Sequence, residues 1–167
     1  MITLSTIGYE GASLDDFLAT LRIAGVQTVI DVREVPQSRR PGYSKRVLAR
    51  ALEEKGMGYV HFKSLGDPKH GREAARAGRF DEFYQIYNAH VERPEAISAL
   101  QVVGELSTKE ACVLLCYERD PQHCHRSIVA NRLSVLYTFQ VRHLGVMNGA
   151  GGRAQKPDSV GAGISAG

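Results

Sequence analysis

The stretch that decides the fold is ACVLLCYERDPQHCHRSIVANRLSVLYTFQVRHL, residues 111–144. It opens with the most apolar run of the chain, 111–117, which has the length and composition of a buried β-strand. Apolar residues then recur at helical spacing and predict a helix over 124–137 with an apolar face of Ile128, Val129, Leu133 and Leu136. FQVRHL, residues 139–144, predicts a second strand. A strand, a helix and a strand in succession are typical of a parallel sheet.

The same alternation of strands and helices runs back to the N-terminus. Short strands are predicted over 3–8, 26–32 and 59–62, and helices beginning near Ser13, Ser44 and Phe80 follow them. The polar segment 66–79 predicts a mobile loop with about one helical turn. The chain therefore predicts a single-domain α/β fold: a three-layer parallel sheet of about five strands, with helices on both faces. Right-handed crossovers favour the strand order 3-2-1-4-5.

Length and composition limit the class of protein. The 167 residues suffice for one domain, predicted over 1–147, and the glycine-rich segment 148–167 predicts a disordered tail. No apolar run is long enough to span a membrane, and the N-terminus lacks the features of a signal peptide. Three cysteines form no disulfide framework. A cytoplasmic protein without a membrane partner is therefore predicted.

Positive charge is concentrated in one segment, REVPQSRRPGYSKRVLAR, residues 33–50. It holds six basic side chains and one acidic side chain, a net charge of +5 in a chain whose total is +3. Such a local excess predicts a surface for a phosphate group or a nucleic-acid backbone, although charge runs are also common on solvated faces.

Polar side chains follow three of the predicted strands. Tyr9 follows the first strand, and Asp31, Arg33 and Ser38 lie at or after the end of the second. Cys116 and Glu118 end the strand that leads into the loop quoted above. Ligands bind at the carboxyl ends of strands in open parallel sheets, so these segments predict one shared site.

Anion binding is the first chemistry that this site predicts. Cys124 lies at the start of a helix, where free N–H groups and the helix dipole attract negative charge. Arg33 and Arg126 are predicted to hold a phosphate or carboxylate, with the neighbouring pair Arg39 and Arg40 assisting. In the alternative reading, Arg126 pairs with an acidic residue of the loop as a structural clamp.

Thiol chemistry is the second chemistry that this site predicts. A cysteine at a helix N-terminus beside histidine and arginine has a lowered pKa, and Cys124 has that setting. Cys116 is the alternate nucleophile, Glu118 is a further acid–base candidate, and His125 or His123 is the candidate base. Cys112 is predicted to be a small buried side chain.

Metal binding is the third chemistry. Residue types that ligate metals are present at Cys116, Glu118, His123, Cys124, His125 and His143. They lack a recognised ligand spacing, and adjacent helical residues point about 100° apart. The sequence therefore predicts neither a metal nor a cofactor.

Several motifs occur together in a recognisable order: TIGYEG, IDVREVPQS, YVHFKSLG, LLCYERDPQHCHRS and RHLG. In this order, over residues 3–145, they resemble the bacterial family called domain of unknown function 488. The resemblance implies a compact α/β fold with a shared site at Tyr9, Asp31, Arg33, Ser38, Cys116, Glu118, Cys124, His125 and Arg126. It implies no substrate.

A weaker similarity connects the chain to rhodanese-like sulfurtransferases. IDVRE ends a strand in those proteins too, and Cys116 would then stand at the nucleophile position and Arg126 at the arginine position. The loop after Cys116 differs, because it has no glycine and contains Pro121.

Three functions therefore compete. The first is an enzyme acting on a phosphate-bearing ligand, either a nucleotide or nucleic acid. The second is a non-catalytic nucleic-acid-binding module that uses residues 33–50. The third is rhodanese-like sulfur transfer. The sequence does not determine the oligomeric state.

Overall fold

The computed structural model of the chain describes residues 1–152, which contain five strands and six α-helices, with three helices in succession between the third and fourth strands. The strands are β1 (Thr3–Gly8), β2 (Thr28–Asp31), β3 (Gly58–His61), β4 (Cys112–Cys116) and β5 (Gln140–Leu144). The helices are α1 (Leu14–Ile23), α2 (Lys45–Glu54), α3 (Lys69–Arg76), α4 (Phe80–Val91), α5 (Pro94–Lys109) and α6 (His125–Tyr137). A 3₁₀ turn, Lys63–Leu65, precedes α3. Within this part of the chain, no helix is both long and apolar enough to cross a membrane.

All five strands are parallel, which confirms the predicted α/β class. Their order is β3-β2-β4-β1-β5, so the predicted order 3-2-1-4-5 is wrong in the positions of β1 and β4. Strand β4 lies at the centre of the sheet, and all of its residues are buried. Strand β1 carries the polar residues Ser5 and Thr6 and pairs with β5, a largely exposed strand at the edge of the sheet. The strand with the most apolar side chains on both faces therefore lies in the middle of the sheet.

Helices cover both faces of the sheet. Helices α1 and α2 pack on one face, where Phe17, Leu21 and Leu48 meet Val113 and Leu115 of β4. Helices α4, α5 and α6 pack on the other face against Leu114 and neighbouring side chains. On α6, Val129 and Leu133 are buried as predicted, but Leu136 is 64% exposed, so the buried face of α6 is narrower than its sequence indicates.

The segment 66–79 contains a helix of two turns, so the predicted loop there is wrong in part. Helix α3 spans Lys69–Arg76 and buries Ala74 in the core, and Gly78, with a positive φ of 76°, follows two residues after its end. The helix is highly polar, so its few buried positions give a weak sequence signal. Its location matters for function, because Arg72 and Arg76 reach the cavity described below.

The first residues of the predicted tail have defined contacts. The backbone N–H groups of Gly149 and Gly151 donate to the Asp16 carboxylate, at 3.0 and 2.9 Å, and Ala150 is buried. Residues 148–152 therefore pack on α1, beyond the boundary predicted at residue 147. The rest of the predicted tail, 153–167, lies outside the described residues.

Candidate functional site

The carboxyl ends of β2, β4 and β1 lie side by side. In the ladders, Gly8 is paired with Cys116, and Asp31 is paired with Leu115. The loop after β4 crosses close above β1, because a Cβ atom on Gly8 would lie 1.7 Å from the carbonyl oxygen of Glu118. The three chain segments predicted to share a site therefore meet at one edge of the sheet.

A cavity of about 570 Å³ opens at this edge, a volume typical of sites for small molecules. Polar and ionisable side chains make up most of its wall. The predicted site residues that line it are Tyr9, Arg33, Ser38, Arg39, Arg40, Cys116, Glu118 and His125. Asp31, Cys124 and Arg126 are buried against these residues and do not themselves line the cavity.

Two cysteine sulfurs are in direct contact at the end of β4. The Sγ atoms of Cys116 and Cys124 lie 2.6 Å apart, and both cysteines are free and buried. The carboxylate Oε2 of Glu118 lies 3.4 Å from the first sulfur and 3.5 Å from the second. We call Cys116 and Cys124 the cysteine pair. Its members have different roles at the cavity, because Cys116 lines it and Cys124 stands next to Cys116.

Charges around the cysteine pair favour a thiolate on Cys124. Burial by itself raises the pKa of Cys124, but the hydrogen bond from Cys116 and the positive charges of His125 and Arg126 outweigh burial and hold that pKa well below its ordinary value. The pKa of Cys116 is raised by burial and by its neighbour, so Cys116 keeps its proton. The pair therefore shares one proton and one negative charge.

His125 is the positive partner of this thiolate. Its Nδ1 lies 3.9 Å from the Cys124 sulfur, and its Nε2 lies 2.6 Å from the carbonyl oxygen of Val32, to which it donates. Burial opposes protonation, but the hydrogen bond and charge of Cys124 raise the pKa of His125 to about 9. The sequence predicted that His125 acts beside Cys124. The structure shows in addition that the Val32 carbonyl orients the His125 ring.

Arg126 is the largest fully buried side chain, with 0% exposure, and does not reach the cavity. Its Nη1 donates to the Cys116 sulfur at 3.0 Å and to the carbonyl of Glu118 at 2.6 Å. Its Nε and Nη2 donate to the Thr6 hydroxyl and to the carbonyl of Arg119. The structure thus places Arg126 as a clamp between the loop and the cysteine pair, rather than in the predicted position for gripping a ligand.

Arg33 is also largely committed to protein partners. Its Nε and Nη2 make a bidentate ion pair with Asp31, at 2.9 and 2.7 Å. Its Nη1 donates to the Tyr9 hydroxyl and to the carbonyl of Tyr43. Burial disfavours the guanidinium, but Asp31 outweighs it and raises the pKa of Arg33. Only one N–H of the Arg33 guanidinium remains for a ligand, so the main role of Arg33 is to hold Tyr9 in the cavity wall. The Tyr9 ring stacks on the Tyr43 ring with 4.2 Å between centroids.

The freer positive charge comes from other arginines of the wall. We call Arg39, Arg40 and Arg76 the rim arginines; all three are exposed, and within residues 1–152 none of them forms a salt bridge. Arg72, by contrast, donates to Glu34 at 2.9 Å. Ser38 lies among the rim arginines, where its hydroxyl accepts from the backbone N–H of Arg40.

Asp67 is the wall residue that sequence reasoning missed. It is 4% exposed, it lines the cavity, and its Oδ1 has no hydrogen-bond partner in the described part of the chain. Burial raises the pKa of Asp67 to about 7, against the opposing effect of His125. Gly71 is needed beside it, because a Cβ there would lie 2.1 Å from that Oδ1. The sequence signal that could have identified Asp67 is its position as an acidic residue directly before Pro68, in the segment that was interpreted as a loop.

The loop 117–124 is held by its own contacts and by α4. The N–H of Arg119 donates to Glu10, that of Gln122 to Asp120, and that of Cys124 to the carbonyl of Pro121. The ring of His123 stacks on Phe80 with 3.7 Å between centroids. These three N–H groups are therefore used within the loop and its neighbours.

The cysteine pair and Glu118 are residue types that ligate metals, although the two sulfurs are closer together than two thiolates on one zinc ion would be. Their ligand atoms lie within 4.8 Å of one another. Two thiolates and a carboxylate suit zinc, but the neighbouring charges of His125 and Arg126 oppose a cation. His143, a residue of a type that can ligate metals, is not part of this group. Its Nδ1 is hydrogen-bonded to the Thr6 hydroxyl at 2.6 Å.

Residues 13–133, well over half of the chain, match the family described as Domain of unknown function DUF488. The chain belongs to the DUF488 family. This confirms the resemblance found in the sequence motifs. No curated protein and no solved structure matches the chain. In this DUF488 protein, the matched segment contains the cysteine pair, His125, Asp67 and the rim arginines, whereas Tyr9 precedes it.

Proposed function

We propose that this DUF488 protein is a thiol-dependent enzyme acting on a small phosphate-bearing ligand, with a nucleotide as the best candidate. The observation that carries the proposal is the composition of one cavity: exposed arginines at the rim and a cysteine pair with a histidine deeper in the wall. Anion-binding groups and a nucleophile in one cavity of small-molecule size are what such an enzyme requires.

The rim arginines provide the site for the phosphate. Guanidinium groups donate to phosphate oxygens in bidentate fashion, and those of Arg39, Arg40 and Arg76 have no carboxylate partner in residues 1–152. Tyr117, at the same wall, is 47% exposed and offers an aromatic face beside Tyr9. A phosphate at the rim and a planar ring against Tyr117 together favour a nucleotide over a simple sugar phosphate.

The cysteine pair provides the nucleophile. Its thiolate attacks an electrophilic carbon or phosphorus of the bound ligand and forms a covalent bond to sulfur as the leaving group departs. Imidazolium His125 and Arg126 stabilise the thiolate before the attack. Cys116 lines the cavity and shares one proton with Cys124, so transfer of that proton to Cys124 leaves the thiolate on Cys116, within reach of a ligand in the cavity.

Asp67 provides the proton for the leaving group. A buried carboxyl with a pKa near 7 is still partly protonated at neutral pH and is suited to general acid catalysis. Its unpartnered Oδ1 is an acceptor that a hydroxyl or amino group of the ligand would satisfy. Glu118, whose pKa is also raised by burial, lines the cavity within 3.5 Å of both sulfurs and is the second acid–base group.

The first test is ligand binding measured by thermal shift. Inorganic phosphate, adenosine 5′-monophosphate and guanosine 5′-monophosphate are titrated into the wild-type protein and into Arg39→Ala and Arg40→Ala. Each substitution is expected to weaken binding about tenfold, because a charge-assisted contact to phosphate is lost. Arg22→Ala is the matched control, since Arg22 is an exposed arginine in the last turn of α1. Equal affinities in all four proteins would contradict the phosphate site.

The second test is thiol reactivity. Iodoacetamide is expected to alkylate the cysteine pair faster than Cys112, which lies at the opposite end of β4 and whose pKa burial raises to about 11. His125→Ala should slow that alkylation, because the imidazolium that stabilises the thiolate is removed. A thiol that reacts no faster than Cys112, in a protein that still folds, would contradict the catalytic part of the proposal.

A nucleic-acid-binding module is the second candidate, supported by the exposed basic surface of α2. Lys45, Arg46 and Arg50 project from this helix, next in the chain to Arg39 and Arg40, and all five side chains are exposed. Binding to a phosphate backbone by such a surface would weaken steeply with salt, by about 0.7–0.9 in log–log slope per contact. Arg46→Ala and Arg50→Ala would weaken it, whereas nucleotide binding in the cavity would not change.

A further inference from the structure

We propose that Cys116 and Cys124 are a redox-active pair that closes into a reversible intramolecular disulfide when a hydroperoxide enters the cavity. The two thiols carry this inference by themselves. It goes beyond the proposed enzyme activity and does not depend on which ligand the cavity binds.

Geometry is the first support. The sulfurs lie 2.6 Å apart, closer than ordinary contact between two sulfur atoms, and a bond of about 2.05 Å requires them to approach by roughly half an ångström. Cys116 is the last residue of β4, and Cys124 immediately precedes α6, so the backbone on both sides is held by regular structure.

The protonation of the pair is the second support. Oxidation by peroxide requires a thiolate, and Cys124 has a lowered pKa beside His125, while Cys116 remains a thiol. The pair shares one proton, and its transfer to Cys124 places the thiolate on Cys116, the cysteine that lines the cavity. This thiolate attacks one oxygen of the hydroperoxide, its O–O bond breaks, and the products are a sulfenic acid and an alcohol, or water if the oxidant is hydrogen peroxide. A proton from the His125 imidazolium is available for the departing oxygen.

The second step uses the neighbouring thiol. The sulfur of Cys124 attacks the sulfenic sulfur of Cys116, the S–O bond breaks, and water leaves with the thiol proton. Cys116 is thus the oxidised cysteine, and Cys124 is the resolving one. Two electrons have passed from the pair to the peroxide, and a dithiol such as dithiothreitol returns them. Arg126, 3.0 Å from the Cys116 sulfur, stabilises the Cys116 thiolate before it attacks the peroxide.

Cys112 is excluded from this chemistry and serves as an internal control. It lies four residues before Cys116 on the same extended strand, which separates them by about 13 Å. Its side chain points to the same face as that of Cys116 but lies near the other end of the sheet, and burial raises its pKa. It should stay reduced throughout.

The test is peptide mapping of the wild-type protein after oxidation. Reduced protein is treated with hydrogen peroxide in the presence of a chelator, then denatured and alkylated with iodoacetamide. Trypsin separates the two cysteines, because Arg119 lies between them: Cys116 falls in 110–119 and Cys124 in 120–126. The expected product joins these two peptides, carries one alkyl group on Cys112, and disappears when dithiothreitol is added before alkylation.

Two variants complete the test. Cys124→Ser should abolish the joined peptide, because Cys116 then has no resolving partner, whereas Cys112→Ser should still yield it at the wild-type rate. Three results would overturn the proposal. They are full alkylation of all three cysteines after peroxide treatment, a joined peptide that forms only between two molecules, and oxidation of Cys112 at the same rate as the cysteine pair. Loss of phosphate binding would not, because the readout uses no ligand. The two proposals therefore fail in different experiments.

Discussion

Replacing Arg126 tests whether this residue is a structural clamp or a ligand contact. In Arg126→Ala, the loop carbonyls of Glu118 and Arg119 lose their guanidinium donors, and the Thr6 hydroxyl loses one of its two partners. The substitution also removes the largest fully buried side chain of the domain. The structure therefore predicts a stability defect rather than a pure defect in ligand binding.

The size of that defect follows from the contacts. Leaving a buried acceptor without its donor costs about 1–3 kcal/mol, and two carbonyls near the surface fall at the lower end of that range. The void left by a large buried side chain adds about 2 kcal/mol or more. We expect Arg126→Ala to lower the free energy of unfolding by about 3–5 kcal/mol, a large part of the 5–15 kcal/mol typical of a domain.

Urea unfolding followed by circular dichroism measures this change, and α6 offers a matched control. Arg132 is on the same helix, but its ion pair with Glu92 is exposed, so Arg132→Ala should cost at most ~1 kcal/mol. If Arg126→Ala proved as stable as Arg132→Ala and lost only ligand affinity, the clamp interpretation would be wrong and the anion-gripping role predicted from the sequence would be correct.

Three further predictions concern other parts of the site. Gly8→Ala should destabilise the fold by ~1–3 kcal/mol or more, because its Cβ would collide with the Glu118 backbone, whereas Gly145→Ala, with open space around it, should have little effect in the same urea experiment. Asp67 has a pKa raised in the folded state to about 7 from 3.8, so its contribution to stability is complete below pH 3.8 and is lost as pH rises through 7. The difference in unfolding free energy between wild type and Asp67→Asn should therefore change by at most ~1.4 kcal/mol per pH unit across that interval, and a difference independent of pH would refute the raised pKa. Asp16→Ala should release residues 149–151 from α1, which amide hydrogen exchange at Gly149 and Gly151 would detect as loss of protection.

The strong local patterns of the sequence predicted most of the fold. The apolar run of β4 and the helical spacing in α6 were sufficient to identify a parallel α/β sheet, because burial on both faces leaves long apolar runs. Helix α3 was missed, since its polar surface hides the few positions that touch the core. Strand order was also wrong, because the crossover rules allow β1 and β4 to exchange neighbours without changing either strand's pattern.

The sequence by itself determined that the segments after β1, β2 and β4 share the site, because the carboxyl ends of parallel strands must lie at one edge of the sheet. The contribution of residues 66–79 to the same wall came only from the tertiary structure. The tertiary structure decided what each residue does there. It turned Arg126 inward onto the loop, paired Arg33 with Asp31, and left the rim arginines to face the cavity. It also brought the sulfurs of Cys116 and Cys124 into contact and placed Asp67 in the same wall. Spacing along the chain shows only which residues are neighbours in sequence. The direction of a side chain and its hydrogen-bond partners depend on how it packs against segments that are distant in sequence.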